Sequence, residues 1–331
     1  MRARSNKTNV SEACHRVYYP SATTCEEIQP IGTHVRIRPG EGRLSYLHLF
    51  SGVNPLVGPK DLKEPLLTVF GVPYDGTTSY RPGARFGPNA IREAFLNVEA
   101  YSQKLGVDVE GLPLRDAGNL AKQNDPEAMV GAVFKVTKEL FAAGEKFCML
   151  GGEHSLTGGS FVNAPAGTAL VVFDAHFDLR DEWEGSRFSH ACYLRRVTEK
   201  ADPSVVAHIG ARAATKEEWS LSKSLGLVLS PKEAGTSSGL KRFSRFLSDF
   251  KSVYVSVDID GLDPAFAPGT GTPEAGGLTT LAVLDLLYAL EGRRVVAFDI
   301  MEVSPPYDNG STAVAAARFM NELTALCATK R

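Results

Sequence analysis

From about residue 66 the chain alternates short apolar, β-branched runs with longer segments of helical period. Leu66-Leu-Thr-Val-Phe-Gly-Val reads as a strand. Residues 88–101 read as a helix, with Pro88 suited to the first turn, where a missing N–H costs nothing. Asp125 is placed to cap a helix from Pro126 to about Ala143, its carboxylate accepting from free N–H groups of the first turn. Phe147-Cys-Met-Leu is a further strand, closed by Gly151-Gly152. Beyond it the pattern predicts strand 169–173, helix 190–200, strand 204–209, helix 215–225 and strand 226–229. Helix 238–249, strand 252–257, helix 279–291, strand 294–300 and helix 311–328 complete the run. Strands separated by helices of about ten residues or more imply crossovers, hence a parallel sheet with helices on both faces. No repeat or linker interrupts the run, so residues 45–331 read as one α/β domain. Residues 1–44 lack periodicity and mix Ser, Thr, Pro, Gly and charge, which reads as an N-terminal extension, poorly ordered or wrapped over the surface.

Composition narrows the classes. Of 331 residues, 43% are hydrophobic and 22% charged, enough to build a sizeable core. A net charge of −2 supplies no basic field for nucleic acid and no attraction to a membrane surface. No apolar run approaches the roughly 18–20 residues that span a bilayer, and the first residues lack the apolar stretch of a secretion signal. The five cysteines are odd in number and irregular in spacing, so neither a disulfide framework nor a CxxC zinc site fits. A reducing cytoplasm is the expected location.

The chemistry lies where apolar strands end. Ala169-Leu-Val-Val-Phe runs into Asp174-Ala-His-Phe-Asp178, and Val253-Tyr-Val-Ser-Val runs into Asp258-Ile-Asp260. Residues two apart on a strand share a face, so Asp174, His176 and Asp178 share one and Asp258 and Asp260 another. His154 follows the Gly-Gly turn at the end of a third strand. In open parallel sheets, ligands bind outside the carboxyl ends of the strands, where these segments converge. Four carboxylates and two imidazoles are too much charge to leave unpaired, and two divalent cations would pair them. An oxygen-rich set with two imidazoles favours Mn²⁺ over Zn²⁺ or Mg²⁺. A water shared by two such ions becomes a nucleophile near neutral pH, so hydrolysis is the natural reaction class. A metal-dependent phosphoesterase would need a Lys/Arg cluster or a Gly-rich phosphate loop beside the acidic strings, and neither is there.

Between about Tyr46 and Ala328 the chain resembles the ureohydrolase (arginase/agmatinase) family, on an agmatinase-like pattern. The motifs are Gly-Gly-Glu-His-Ser (151–155), Phe-Asp-Ala-His-Phe-Asp (173–178), Ser-Val-Asp-Ile-Asp-Gly-Leu-Asp-Pro (256–264), Gly-Thr-Pro-Glu-Ala-Gly-Gly (271–277) and Asp-Ile-Met-Glu-Val-Ser-Pro-Pro (299–306). The resemblance implies a three-layer α/β/α sandwich around a mostly parallel sheet of about eight strands. It implies two Mn²⁺ per chain: His154, Asp174, Asp178 and Asp258 on one, Asp174, His176, Asp258 and Asp260 on the other. It further implies that Asp178 orients the attacking oxygen and passes on its proton, that His190 shuttles protons, and that Glu302 grips a guanidinium through paired N–H bonds. The products would be urea and an amine. Glu153 departs from the Gly-Gly-Asp-His that the family often carries. Every expected ligand is present, which argues against an inactive regulator on the same fold. Relatives assemble as homotrimers or homohexamers.

The substrate is a small cationic guanidino compound on this reading. The loop 179–189 carries Asp181, Glu182 and Glu184 against Arg180 and Arg187, an acidic excess that suits the cationic tail of agmatine. Tyr80 and Trp183 are candidates to shape the pocket. Similar family members take aminopropylagmatine, guanidinobutyrate, arginine or free guanidine, and guanidine-specific ones are associated with nickel.

Overall fold

Side chains along each central strand alternate between two separate cores. The computed structural model describes Phe50–Ser51 and residues 62–329. The segment read as an extension, residues 1–44, lies outside the described residues. The strands are β1 (Phe50–Ser51), β2 (Leu67–Gly71), β3 (Tyr101–Ser102), β4 (Val107–Asp108), β5 (Leu114–Leu120), β6 (Phe147–Leu150), β7 (Thr168–Phe173), β8 (Val206–Ile209), β9 (Leu227–Leu229), β10 (Ser252–Asp258) and β11 (Arg294–Met301). The helices are α1 (Gly87–Phe95), α2 (Pro126–Ala142), α3 (Ser155–Phe161), α4 (Tyr193–Thr198), α5 (Lys216–Leu221), α6 (Pro231–Ala234), α7 (Ser237–Ser248), α8 (Thr280–Tyr288) and α9 (Ser311–Ala328).

On β7, Ala169, Val171 and Phe173 enter one core while Leu170 and Val172 enter the other. The first core is closed by apolar faces of α1, α6, α7, α8 and α9, the second by those of α2, α3 and α4. This is the expected three-layer sandwich. Among the described residues the sheet has nine strands in the order β1-β5-β2-β6-β11-β10-β7-β8-β9. Only the two-residue edge strand β1 is antiparallel to its neighbour. The centre is β6, β11, β10 and β7, and all four run in the same direction. Their carboxyl ends therefore open on one edge of the sheet.

Three elements depart from the hydrophobic pattern. Strand β5 is Leu-Arg-Asp-Ala-Gly-Asn-Leu, buried along its whole length, and nothing in its apolar spacing predicts it. Its polar groups are closed by partners from elsewhere: Arg92 on α1 donates to both oxygens of Asp116 (2.8 and 2.9 Å) and to Asn119 Oδ1 (2.7 Å). Helix α3 was hidden because Gly158, Gly159 and Ser160 break the apolar spacing; Gly159 is required because a Cβ there would strike the backbone of Val130 on α2. The helix read over 88–101 stops at Phe95, since Tyr101 and Ser102 pair with β4 instead, and Ser102 Oγ donates to buried Glu322 (2.6 Å).

Candidate metal centre and catalytic pocket

Asp174, His176 and Asp178 follow β7, Asp258 ends β10, Asp260 lies in the turn after it, and His154 follows β6. The structure brings all six together. His154 Nδ1 lies 3.0 Å from Asp174 Oδ2, 3.0 Å from Asp258 Oδ2 and 3.6 Å from Asp178 Oδ2. His176 Nδ1 lies 3.1 Å from Asp260 Oδ2 and 3.7 Å from Asp174 Oδ1. Two ligand triads result, His154–Asp174–Asp178 and Asp174–His176–Asp260, and they share Asp174. Asp258 stands against the first triad, its other oxygen accepting from Asp260 N–H (2.9 Å). Further backbone donors aim the carboxylates: His176 N–H at Asp174 Oδ1 (2.6 Å) and Ala175 N–H at Asp260 Oδ1 (3.1 Å).

The donor set fits a pair of cations, and the proton positions say why. Ser256 Oγ donates to Asp299 Oδ1 (2.6 Å), so its one proton is committed. His154 Nε2, 2.8 Å from Ser256 Oγ, must then be the donor. This tautomer, assigned from the hydrogen-bond network, leaves Nδ1 as a bare lone pair among carboxylate oxygens. Nδ1 and Asp174 Oδ2 are both buried and, though 3.0 Å apart, neither has an aligned hydrogen-bond partner. Lone pairs facing lone pairs repel unless a cation lies between them. A carboxylate behind a ligating histidine is also the usual second support of a metal site, here relayed through Ser256.

Without a cation the charges distort each other. Burial pushes the Asp178 and Asp258 carboxyls well up, and the neighbouring Asp174 and Asp260 charges add to it. Burial opposes charge on Asp174 too, but the two imidazoles beside it hold it well below the usual carboxylate range. Burial would lower His154, yet Asp174, Asp178 and Asp299 raise it to about 9. A proton thus stands where a metal would.

Glu302 follows β11 in the left-handed backbone region (φ 62°), and Asp178 shares that conformation (φ 52°). Such backbone in a residue with a long side chain costs about 1–3 kcal/mol and clusters at functional sites. It turns both carboxylates toward the sheet edge. Backbone contacts hold them: Glu302 N–H donates to Gly152 O (2.8 Å) and Arg195 N–H to Asp178 O (3.2 Å). Glu302 Oε1 accepts from His154 N–H (2.9 Å), and burial, then the charge of Glu153, lifts its carboxyl to about 8. The Gly-Gly turn allows this approach, since a Cβ on Gly152 would strike Tyr74 O and one on Gly151 the Met301 sulfur.

His190 opens a short 3₁₀ turn before α4 and faces the same cavity. Its Nδ1 is 3.2 Å from Thr77 Oγ1 and its Nε2 3.4 Å from Ser79 Oγ. Its sequence predicts titration near neutrality; burial and the adjacent His176 charge instead push it down to about 4. The cavity measures about 300 Å³ and holds His154, His176, Asp178, His190 and Glu302 in its wall. Trp183 and Arg180 form part of the outer wall, with the Arg180 guanidinium 4.1 Å above the indole.

The profile of the arginase family matches residues 66–326, most of the chain. The chain belongs to the arginase family. An agmatinase from Pyrococcus horikoshii is 39% identical over 264 residues, 78% of this chain and 91% of the relative. The N(1)-aminopropylagmatine ureohydrolase of Thermococcus kodakarensis is 38% identical over 271 residues, 80% of this chain and 91% of the relative. A crystal structure of agmatine ureohydrolase from Thermoplasma volcanium superposes with a TM-score of 0.77 at 33% identity, covering 85% of this chain and 97% of that one.

In this arginase-family chain the acidic loop is not the tail site its composition suggests. Asp181 is taken up by Arg196 (2.6 Å) and Arg187 (3.1 Å), and neither Glu182 nor Glu184 lines the cavity. The carboxylates that do line its outer part are Glu218 and Glu274. Glu218 is committed to the N-terminus of α5, accepting from Thr215 N–H (2.9 Å) and Leu179 N–H (3.2 Å). Glu274 is half-exposed, 3.9 Å from His176 Nε2. Tyr80 points outward at 65% exposure, and its neighbour Ser79 takes the place in the wall. Sequence reasoning missed Ser256, Asp299 and Thr77. The first two carried a signal: Tyr254, Ser256 and Asp258 share one face of a central strand, and Asp299 is a lone charge in its apolar neighbour.

Proposed function

We propose that this chain hydrolyses agmatine to putrescine and urea, with two Mn²⁺ ions held by His154, Asp174, His176, Asp178, Asp258 and Asp260. The observation that carries this reading is the pair of triads sharing Asp174, set in one cavity with a buried Glu302. Bound there, the ions would make a water strongly acidic and supply a nucleophile at neutral pH. Glu302 would pair with the guanidinium N–H groups, a cation overcoming the burial that now holds its carboxyl neutral. Asp178 would orient the attacking oxygen and carry its proton toward the departing amine. His190, neutral at its low pKa, keeps one unprotonated ring nitrogen with which to accept and relay protons. Addition of water to the guanidinium carbon and cleavage of its bond to the alkyl nitrogen balance as urea plus a primary amine. The names of the relatives above favour a substrate with an ammonium tail, as does the cavity wall, where among the described residues Arg180 is the one Lys or Arg and lies 3.9 Å from Glu218.

Manganese follows from an oxygen-rich set with two imidazoles. Metal analysis of the purified chain is expected to find about two ions, with Mn²⁺ restoring activity after chelation and Ni²⁺ doing so poorly. Urea release from agmatine, aminopropylagmatine, guanidinobutyrate, arginine and guanidine decides the substrate. If arginine or guanidine exceeds agmatine in kcat/KM, the substrate assignment is wrong.

The remaining readings are a homotrimer or homohexamer, tested by light scattering on eluting protein, and a cytoplasmic location. The latter is supported by buried, unpaired thiols at Cys148, Cys192 and Cys327 and tested by fractionation. No helix among the described residues is long and apolar enough to cross a membrane.

A further inference from the structure

Glu153 is fully buried, carries no cation partner among the described residues, and does not face the metal ligands' cavity. Its carboxylate instead accepts three hydrogen bonds. Thr77 N–H donates to Oε2 (2.7 Å), and Thr77 Oγ1 (2.7 Å) and Ser155 Oγ (2.6 Å) both donate to Oε1. Thr77 is thereby clamped at two atoms, and its hydroxyl proton is spent. A hydroxyl has one proton and two lone pairs, so Thr77 Oγ1 can now only accept. It accepts from the backbone N–H of His190 (2.9 Å), and the second lone pair faces His190 Nδ1 at 3.2 Å. Ser189 Oγ, which accepts from Ala191 N–H, is the other polar atom near Nδ1 at 3.4 Å.

We propose that Glu153 and Thr77 are positioning residues that hold the His190 ring with its proton on Nδ1, so that Nε2, toward Ser79 and the cavity, is the nitrogen that exchanges protons. This goes beyond the role assigned to His190 above and rests on that reading for its catalytic consequence. An aspartate at 153 would offer the same fork of oxygens to the Thr77 amide and hydroxyl, with one methylene less of reach. The tie is reinforced by Glu153 N–H donating to Tyr74 O (2.8 Å), which zips the turn after β6 to the loop after β2. The loop after β2, which carries Thr77, is thereby tied to the turn that carries His154.

The test uses the full-length, Mn²⁺-loaded chain. T77V removes the hydroxyl at constant shape and is expected to lower kcat for urea release about 30-fold or more, within the roughly 10²–10⁴-fold that a positioned acid or base supplies. KM should stay within about 3-fold and the metal content unchanged, because Thr77 neither lines the cavity nor belongs to the ligand set. T77S is expected to recover kcat to within about 3-fold, and E153Q to behave like T77V. In an H190A background T77V should add less than about 2-fold, since the two act as one unit. Nitrogen-15 spectra of histidine-labelled protein, recorded with diamagnetic Mg²⁺ in place of paramagnetic Mn²⁺, should give His190 as the Nδ1–H tautomer, and T77V should shift it toward Nε2–H. T77V with wild-type kcat, an undiminished T77V effect on H190A, or an Nε2–H tautomer in the wild type would each overturn the proposal. The tautomer spectrum needs no substrate, so an inert wild type would sink the proposed function while leaving this assignment to be judged on its own signal.

Discussion

The molecule buries two dense groups of charge, and they are built on opposite principles. Between α1 and β5, Arg92 forms a fork on Asp116 and completes itself on Asn119 Oδ1 (2.7 Å) and Gly118 O (3.0 Å). Charge and hydrogen bonds both close within the protein. At the carboxyl ends of β6, β7 and β10, four aspartates face two imidazoles, and His154 Nδ1 and Asp174 Oδ2 stay unmatched. A buried charge that finds its own partner is structure. One held open by surrounding hydrogen bonds is a place prepared for something else.

That contrast can be broken from either side. The largest effect should come from Asp174→Asn. It removes the shared ligand, and urea release should fall by more than about 10³-fold with loss of both ions. The metal-free fold should also lose some melting temperature, because the two imidazoles that hold Asp174 charged lose their partner; a loss as large as that expected for Arg92→Met would mean the cluster is structural after all. Arg92→Met should cost more, about 3–5 kcal/mol, by removing the guanidinium that neutralises buried Asp116, with metal content per folded chain unchanged. Denaturant titration beside metal analysis separates the two outcomes.

The pH dependence sharpens the contrast further. In the metal-free chain His154 stands at about 9 against an ordinary 6.5, and Glu302 at about 8 against 4.5. A folded-state pKa above the unfolded value gives stability that is present at low pH and lost as pH rises through it. The metal-free melting temperature should therefore fall between pH 4.5 and 9, first through Glu302 and then through His154, while metal affinity rises as His154 loses its proton. A flat metal-free profile would contradict the repulsion described here. The smallest effect concerns the turn at Glu184 (φ 49°) and Gly185 (φ 79°), closed by Trp183 and Ser186. Glu184→Asn supplies the residue such a turn prefers and should add about 0.5–1 kcal/mol. Unchanged kcat/KM on agmatine would also bear out that this acidic residue lies outside the substrate path.

Much of this was legible in the sequence where polarity and period coincide. The six ligand candidates are polar residues set on the ends of apolar strands, and all six converge. The final helix, 311–328, matches its observed limits because its buried positions, Ala313, Ala316, Phe319, Met320 and Leu323 among them, keep a helical apolar spacing. Strand β5 was not legible, because Arg115, Asp116 and Asn119 look like a loop until Arg92 and Glu145 arrive from distant segments. The substrate loop misled for the same reason. Asp181 counts as negative in the sequence, but two arginines cancel it in space. Thr77 had no signal at all, since a threonine in a turn shows nothing of the histidine it will meet.

The shared edge of the sheet also bears on how the protein becomes active. His154 and the Glu302 that accepts from its amide are 148 positions apart, and the central strand order places late β11 and β10 between early β6 and β7. The six ligand candidates lie between residues 154 and 260, yet β11 separates β6 from β10 and must be in place before His154 meets Asp258. Contacts of such long range close late in folding. Metal uptake should therefore lag behind secondary structure in refolding and mark the moment when the last central strand slots between its neighbours.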